Sequence, residues 1–87
     1  MAESQKATVG RIVHFYNTAL AETREFNGVN LNGQGAGPYP ALVIQDFNSG
    51  PYVNLVVHAY GGDWREGSVS EKNDTNTSRY WVWPPRV

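Results

Sequence analysis

The sequence predicts an all-β domain, and the best match is a small five-stranded SH3-like barrel. Segments rich in β-branched and aromatic residues recur along the chain, with Gly, Pro, Asn and Asp between them. No stretch carries a convincing helical period. A sheet of so few strands must close or curl to cover its faces and protect its edges. An OB-like barrel is the alternative fold.

The predicted strands are 8–16, 39–47, 52–60, a short strand within 67–71 centred on Val69, and 79–83. The segment 17–38 lacks periodicity and is predicted to form a long, mobile loop. Its first part, 17–26, could form one helical turn or extend the first strand. Turn-forming residues fill 48–51 and 61–64. In an SH3-like barrel the last strand then returns to the first.

A chain of this size is expected to form one domain. We place this domain at 8–87, after a polar N-terminus at 1–7 that is predicted to be disordered. The 87 residues would bury about 60–65 % of the surface exposed by the unfolded chain, so stability is expected to be modest unless subunits associate. Charged residues are scarce at 17 % and aromatic residues abundant at 13 %. This balance predicts that some rings face a ligand or a partner.

The segment 52–60 has two different faces, because side chains alternate along a strand. Val53, Leu55 and Val57 are apolar and are predicted to face the core. The opposite face carries Tyr52, Asn54, His58 and Tyr60. These residue types stack on planar ligands and hydrogen-bond to their edges, so this face is the predicted binding surface.

The C-terminal segment places Trp81 and Trp83 on one face of the last predicted strand. Pro84 and Pro85 cannot donate to a strand ladder, so pairing is expected to end there. One indole ring or both should cover an end of the core.

Four short segments together resemble a group of small accessory proteins of tailed bacteriophages: "GRIVHF" at 10–15, "PALVI" at 40–44, "VNLVV" at 53–57 and "WVWPPRV" at 81–87. The resemblance implies a phage gene product that acts in the host bacterial cytoplasm, and it implies no catalytic activity. The polar positions within these motifs are Arg11, His14, Asn54 and Arg86.

Several other functions are disfavoured by the composition. The net charge of −1 argues against a nucleic-acid-binding barrel, and the lack of cysteine excludes disulfides and thiolate chemistry. His14 and His58 could stand side by side in neighbouring strands, but their spacing matches no metal motif, so no metal or cofactor is predicted. The glycine-rich segment 33–38 leads into a strand instead of a helix, unlike a phosphate-binding loop. No catalytic motif, signal peptide or membrane-length apolar run is present.

The sequence therefore predicts a non-catalytic binding protein, expected to form homo-oligomers. The first hypothesis is sequestration of a nucleotide-type small molecule to counteract host defence, and the alternative is a virion or assembly component that binds a phage or host protein. Trp64 and Arg65 are expected on a turn at the rim of the binding face. The candidate ligand-binding residues are Arg11, His14, Tyr52, Asn54, His58, Tyr60, Trp64, Arg65 and Arg86.

Overall fold

A computed structural model describes residues 7–47 and 51–85, and shows a curled, five-stranded antiparallel sheet that forms a half-barrel. The all-β prediction is confirmed. The strands are β1 (Ile12–Asn17), β2 (Glu25–Phe26), β3 (Val29–Asn30), β4 (Tyr39–Asp46), β5 (Tyr52–Ala59), β6 (Gly62–Ser70) and β7 (Arg79–Val82). The main sheet has the order β6-β5-β4-β1-β7, and β2 and β3 form a separate hairpin.

The strand order is the one expected for an SH3-like barrel. β4, β5 and β6 form a meander, β1 pairs with β4, and β7 returns to pair with β1. Beyond β6, Glu71 forms an isolated parallel bridge with Trp81, and the Lys72 N–H donates to the Trp81 carbonyl at 3.1 Å. This contact draws the two outer strands of the half-barrel together at one end.

The core lies inside the curl of the sheet, as strand alternation predicts. Val53, Leu55 and Val57 of β5 are at most 2 % exposed. The other buried hydrophobic side chains are Ala7, Val13, Phe15, Leu20, Val29, Leu31, Tyr39, Ala41, Val43, Trp64, Val69, Tyr80 and Trp81. Ala7, the last residue of the N-terminus predicted to be disordered, is instead buried, while residues 1–6 lie outside the described part of the chain, as do 48–50 of the predicted turn.

β6 differs from its prediction. A turn at 61–64 followed by a short strand within 67–71 was expected, but one strand spans Gly62–Ser70 and only Tyr60 and Gly61 form the turn. β6 is an edge strand with polar side chains on both faces and an irregular register opposite β5. The period-two signal on which the sequence prediction depends is consequently weak there.

The segment 17–38 is more ordered in structure than the predicted loop. It begins with a 3₁₀ turn at Thr18–Leu20 and continues into the β2–β3 hairpin. Leu20, Val29 and Leu31 are buried and attach the segment to the core. Three isolated apolar residues among glycines and asparagines have no periodicity, and so the sequence did not reveal their burial.

The glycine-rich part of this segment packs against backbone. Gly37 has a φ of +122°, and a Cβ there would lie 2.7 Å from the Phe15 carbonyl oxygen. Gly35 has a φ of +61°, and its Cβ would lie 2.9 Å from the Ala21 carbonyl oxygen. Only glycine combines this backbone conformation with such close approach. At these two positions, glycine is therefore required by local packing.

Tyr39 provides a pH-dependent test of the core. Its ring is fully buried, its hydroxyl donates to the Gly35 carbonyl, and burial raises the pKa of the phenol from 10.0. The raised pKa means that the folded state favours the neutral phenol. The stability that Tyr39 contributes is therefore complete below pH 10, and it is lost as the pH rises further and the unfolded chain ionises. We expect chemical denaturation at pH 9 to 12 to show a smaller alkaline loss of stability in Tyr39→Phe than in the wild type. Tyr60→Phe, at an exposed ring, is the control, and equal slopes in all three proteins would contradict this role.

Candidate binding face

The outer face is the surface of the five-stranded sheet opposite the core. Strand register arranges its side chains in rows that cross the sheet. One row consists of Arg65, Val56, Leu42 and Ile12, from β6, β5, β4 and β1. Beside this row, Asp63 pairs with His58 on one side of the sheet, and His14 pairs with both Pro40 and Val82 on the other. The predicted polar face of β5 is thus part of a broader surface.

The centre of the outer face is apolar. Ile12 is 50 % exposed and Ile44 is 37 % exposed, while Leu42 and Val56 are half-buried between them and β6. Scattered exposed aliphatic residues are ordinary, but these four belong to adjoining strands of one sheet. A contiguous apolar patch of this kind is typical of an interaction surface.

His58 forms the most defined polar contact on this face. Its Nδ1 lies 2.9 Å from Oδ1 of Asp63 on β6, and both side chains are about half exposed. This bond fixes the orientation of the ring and leaves Nε2 for a ligand. His14 and His58 could have stood side by side in neighbouring strands, but β4 lies between their strands. Two strand spacings separate the histidine backbones by about 10 Å.

Tyr52 and Tyr60 lie at opposite ends of β5. Their rings are 49 % and 75 % exposed, which suits contact with a ligand or a partner. They are eight residues apart, so their Cα atoms are separated by about 26 Å along the strand. One nucleotide-sized ligand therefore cannot touch both rings on the same subunit.

Asn54 stabilises the sheet. Its Nδ2 donates to Oε1 of Gln45 at 2.7 Å, and its Oδ1 accepts a hydrogen bond from the Ser68 N–H at 2.9 Å. These bonds join three strands where the register shifts on both sides of β5, and Ser68 has a φ of +55°. The amide of Asn54, which was predicted to hydrogen-bond to a ligand, therefore stabilises the two β-bulges instead.

Trp64 does not lie on a rim turn, as predicted. It belongs to β6, faces the core and is 6 % exposed. Its Nε1 donates to Oε2 of Glu66 at 2.8 Å, and the Phe26 and Tyr39 rings contact it edge-on. The period-two alternation of β6 places Trp64 opposite in direction to Asp63 and Arg65. A ring enclosed in this way cannot stack on a ligand bound to the outer face.

The predicted arginines do not gather at one place. Arg65 is exposed on β6, at one side of the outer face. Arg11 precedes β1, three strands away, and its guanidinium carbon lies 6.0 Å from the centroid of the Trp83 ring. Arg86 lies outside the described residues. An anion bound at Arg65 therefore could not also contact Arg11 on the same subunit.

Sequence reasoning missed an ion pair between a buried glutamate and a half-buried arginine, which joins the two outer strands of the half-barrel. Glu66 is 9 % exposed, and its Oε1 lies 3.4 Å from Nε of Arg79 on β7. Nη2 of Arg79 also donates to the Gly67 carbonyl at 2.7 Å. Recognising 62–70 as one strand would have placed Glu66 on the inner face, beside Trp64. The pair links β6 to β7 and does not contribute to the outer face.

Comparison of the chain with protein-family models, curated proteins and solved structures found no match. Within residues 7–47 and 51–85, no group of three His, Asp or Glu side chains is arranged to hold a metal ion. The same part of the chain contains no helix long and apolar enough to cross a membrane.

Proposed function

We propose that this chain is a non-catalytic binding protein that docks a partner protein on its outer face. The exposed apolar centre is the observation that carries this proposal, with Ile12 50 % exposed on β1. Protein interfaces typically combine an apolar centre with a polar rim enriched in tyrosine and arginine. Here the rim includes Tyr52, Tyr60, His58 and Arg65.

The shape of the face supports a protein partner more than a small ligand. The face is about 26 Å long and about 14 Å wide from β6 to β1, which is broad enough for a protein surface to lie across it. Exposed apolar side chains grouped on one face and rimmed by polar residues often mark a protein interaction site. Small molecules usually bind in concave sites that enclose most of their surface, whereas this face lies on the convex side of the curled sheet.

The resemblance to accessory proteins of tailed phages supports a phage or host protein as the partner, in the cytoplasm of the infected bacterium. A matching surface would carry an apolar centre facing Ile12 and Val56, with an acidic group facing Arg65. Complementary charge of this kind sets orientation and association rate more than affinity. A role in virion assembly and a role in blocking a host factor both use such a surface.

Site-specific cross-linking in infected cells tests the proposal. A photoreactive residue at position 12 is expected to give a discrete cross-linked partner, whereas the same residue at exposed position 22, in the segment before β2, is not. The partner, once identified and purified, should bind the wild type, and Ile12→Glu should weaken binding by at least about tenfold, because it buries a charge in the apolar centre. Identical adducts at positions 12 and 22, or none at either, would refute a docking role for the outer face.

Sequestration of a nucleotide-type molecule is the second candidate, favoured by one cluster on the β5–β6 hairpin. Tyr60 is 75 % exposed, His58 is oriented by Asp63, and Arg65 is exposed nearby. A base could stack on the tyrosine or histidine ring while the guanidinium binds phosphate. Removal of a signalling nucleotide in this way would counteract host defence, and two subunits would be needed to enclose the ligand.

Thermal-shift screening of cyclic and linear nucleotides separates the two candidates. A ligand at about 100 times its Kd adds about 2.7 kcal/mol and should raise the Tm by several degrees. Tyr60→Ala and Arg65→Ala should abolish the shift, whereas Tyr52→Ala, at the far end of β5, should preserve it. The absence of a shift with every nucleotide would exclude this second candidate and leave the docking proposal intact.

A further inference from the structure

The free edge of β6 offers a second surface, which adjoins the outer face and shares Asp63 and Arg65 with it. β6 is the first strand in the sheet order and pairs only with β5 along Gly62–Glu66. Unpaired backbone groups along such an edge are a template for another strand.

The β5–β6 register shows which backbone groups point outward. Ala59 and Gly62 pair directly across the two-residue turn, so this pair exchanges backbone hydrogen bonds, as does every second pair along the ladder. Asp63 and Arg65 belong to the intervening pairs, and their N–H and C=O groups therefore point away from β5. Among the described residues, neither makes a backbone hydrogen bond outside the ladder.

The length of this edge is limited at both ends. The turn at Gly61 ends it on one side, where the Gly61 N–H donates to the Asn30 carbonyl at 2.9 Å. On the other side the register shifts opposite Asn54, and Arg79 donates to the Gly67 carbonyl. About five residues remain, which restricts an added strand to very few registers.

We propose that a second copy of this chain pairs with this edge in antiparallel orientation. Trp64 lies at the two-fold axis, and Asp63 lies opposite Arg65 of the partner subunit. Because both residues present outward backbone groups, each such pair exchanges two hydrogen bonds. A two-fold axis repeats the contact, so the interface contains two of these pairs and joins the two sheets into one.

The charges make this register self-complementary. Opposite charges directly across an antiparallel pair stabilise it, whereas like charges destabilise it. Asp63 uses Oδ1 to contact His58, which leaves Oδ2 for the guanidinium of Arg65 of the partner subunit. Within the described residues, Arg65 has no ion pair of its own. A shift by one residue in either direction would lose both the charge matching and the backbone pairing.

Charge reversal followed by mixing tests the proposal. The wild type is expected to have twice the monomer mass in analytical ultracentrifugation. Asp63→Arg and Arg65→Asp, each folded by circular dichroism, should be monomers, because each places like charges opposite each other. An equimolar mixture should form a heterodimer, since arginines then face aspartates at both positions. A monomeric wild type, dimeric single variants, or no heterodimer on mixing would each overturn the proposal.

Amide hydrogen exchange of the wild type tests the same edge without substitution. The N–H groups of Asp63 and Arg65 should exchange more slowly as protein concentration rises, because pairing covers them. The Trp64 N–H, which points towards Val57 of β5, should be protected at every concentration and serves as the internal control. Protection of Asp63 and Arg65 that is independent of concentration would contradict pairing at this edge.

Discussion

Deleting residues 80–87 is expected to abolish cooperative folding. The deletion removes most of β7, which pairs with β1 through Tyr80 and Trp81 among others. It also removes two buried rings, at 9 % and 3 % exposure. Burial of one such ring removes on the order of 150–250 Å² from water, worth several kcal/mol at about 25 cal/mol per Å². Small domains have a free energy of unfolding of about 5–15 kcal/mol, so the loss of these rings is comparable with the stability of the entire domain.

The deletion has a matched control in a chain that ends at Trp83. That variant keeps β7, Trp81 and Trp83 and removes only 84–87, which follow the last strand pair of the described residues, His14 with Val82. We expect it to unfold cooperatively in urea, whereas the 1–79 chain should show no sigmoidal transition by circular dichroism. If the shorter chain melts near the wild-type temperature, β7 is not required for the fold.

Trp81→Ala should lower the free energy of unfolding by about 3–5 kcal/mol. Its ring is 3 % exposed in the core, and the Trp83 ring contacts it edge-on at 5.3 Å between centroids. Its indole N–H makes no hydrogen bond to any described residue, so the loss comes from apolar contacts and the cavity left behind. Urea denaturation monitored by circular dichroism measures the change.

Trp83→Ala is the matched control for this substitution. Trp83 is half-buried and packs on the margin of the core, so the same truncation should cost clearly less. Trp81→Phe should retain most of the stability, since it keeps a large apolar ring. Equal losses for the two alanine variants would show that Trp81 has no special place in the core.

The β5 strand was predictable because its signal is local. Val53, Leu55 and Val57 occupy alternate positions, with Asn54 and His58 among the residues of the opposite face, and the structure buries all three. The return of the last strand to the first was also predictable, because Trp81 requires burial and Pro84 stops the ladder. Together these features specified a small, curled, all-β sheet.

The binding site was less predictable than the fold. Its candidate residues were chosen for the chemistry of their side chains, without knowledge of the residues that each one contacts in the folded protein. Asn54 and Trp64 have the side chains of ligand-binding residues, yet one holds two bulges and the other packs in the core. Tyr52 and Tyr60 remained exposed, as predicted, but the length of β5 separates them. Which polar groups are already satisfied depends on strands that are distant in sequence.

The sequence by itself determined that this chain forms an all-β fold, which face of β5 is buried, and that the C-terminal tryptophan strand completes the sheet. Only the tertiary structure decided that β4 separates His14 from His58, that Glu66 pairs with Arg79, and that an edge of β6 stays unpaired. The physical reason is that strand alternation is a local property of two-residue period, whereas strand order and register arise from contacts between segments far apart in the chain.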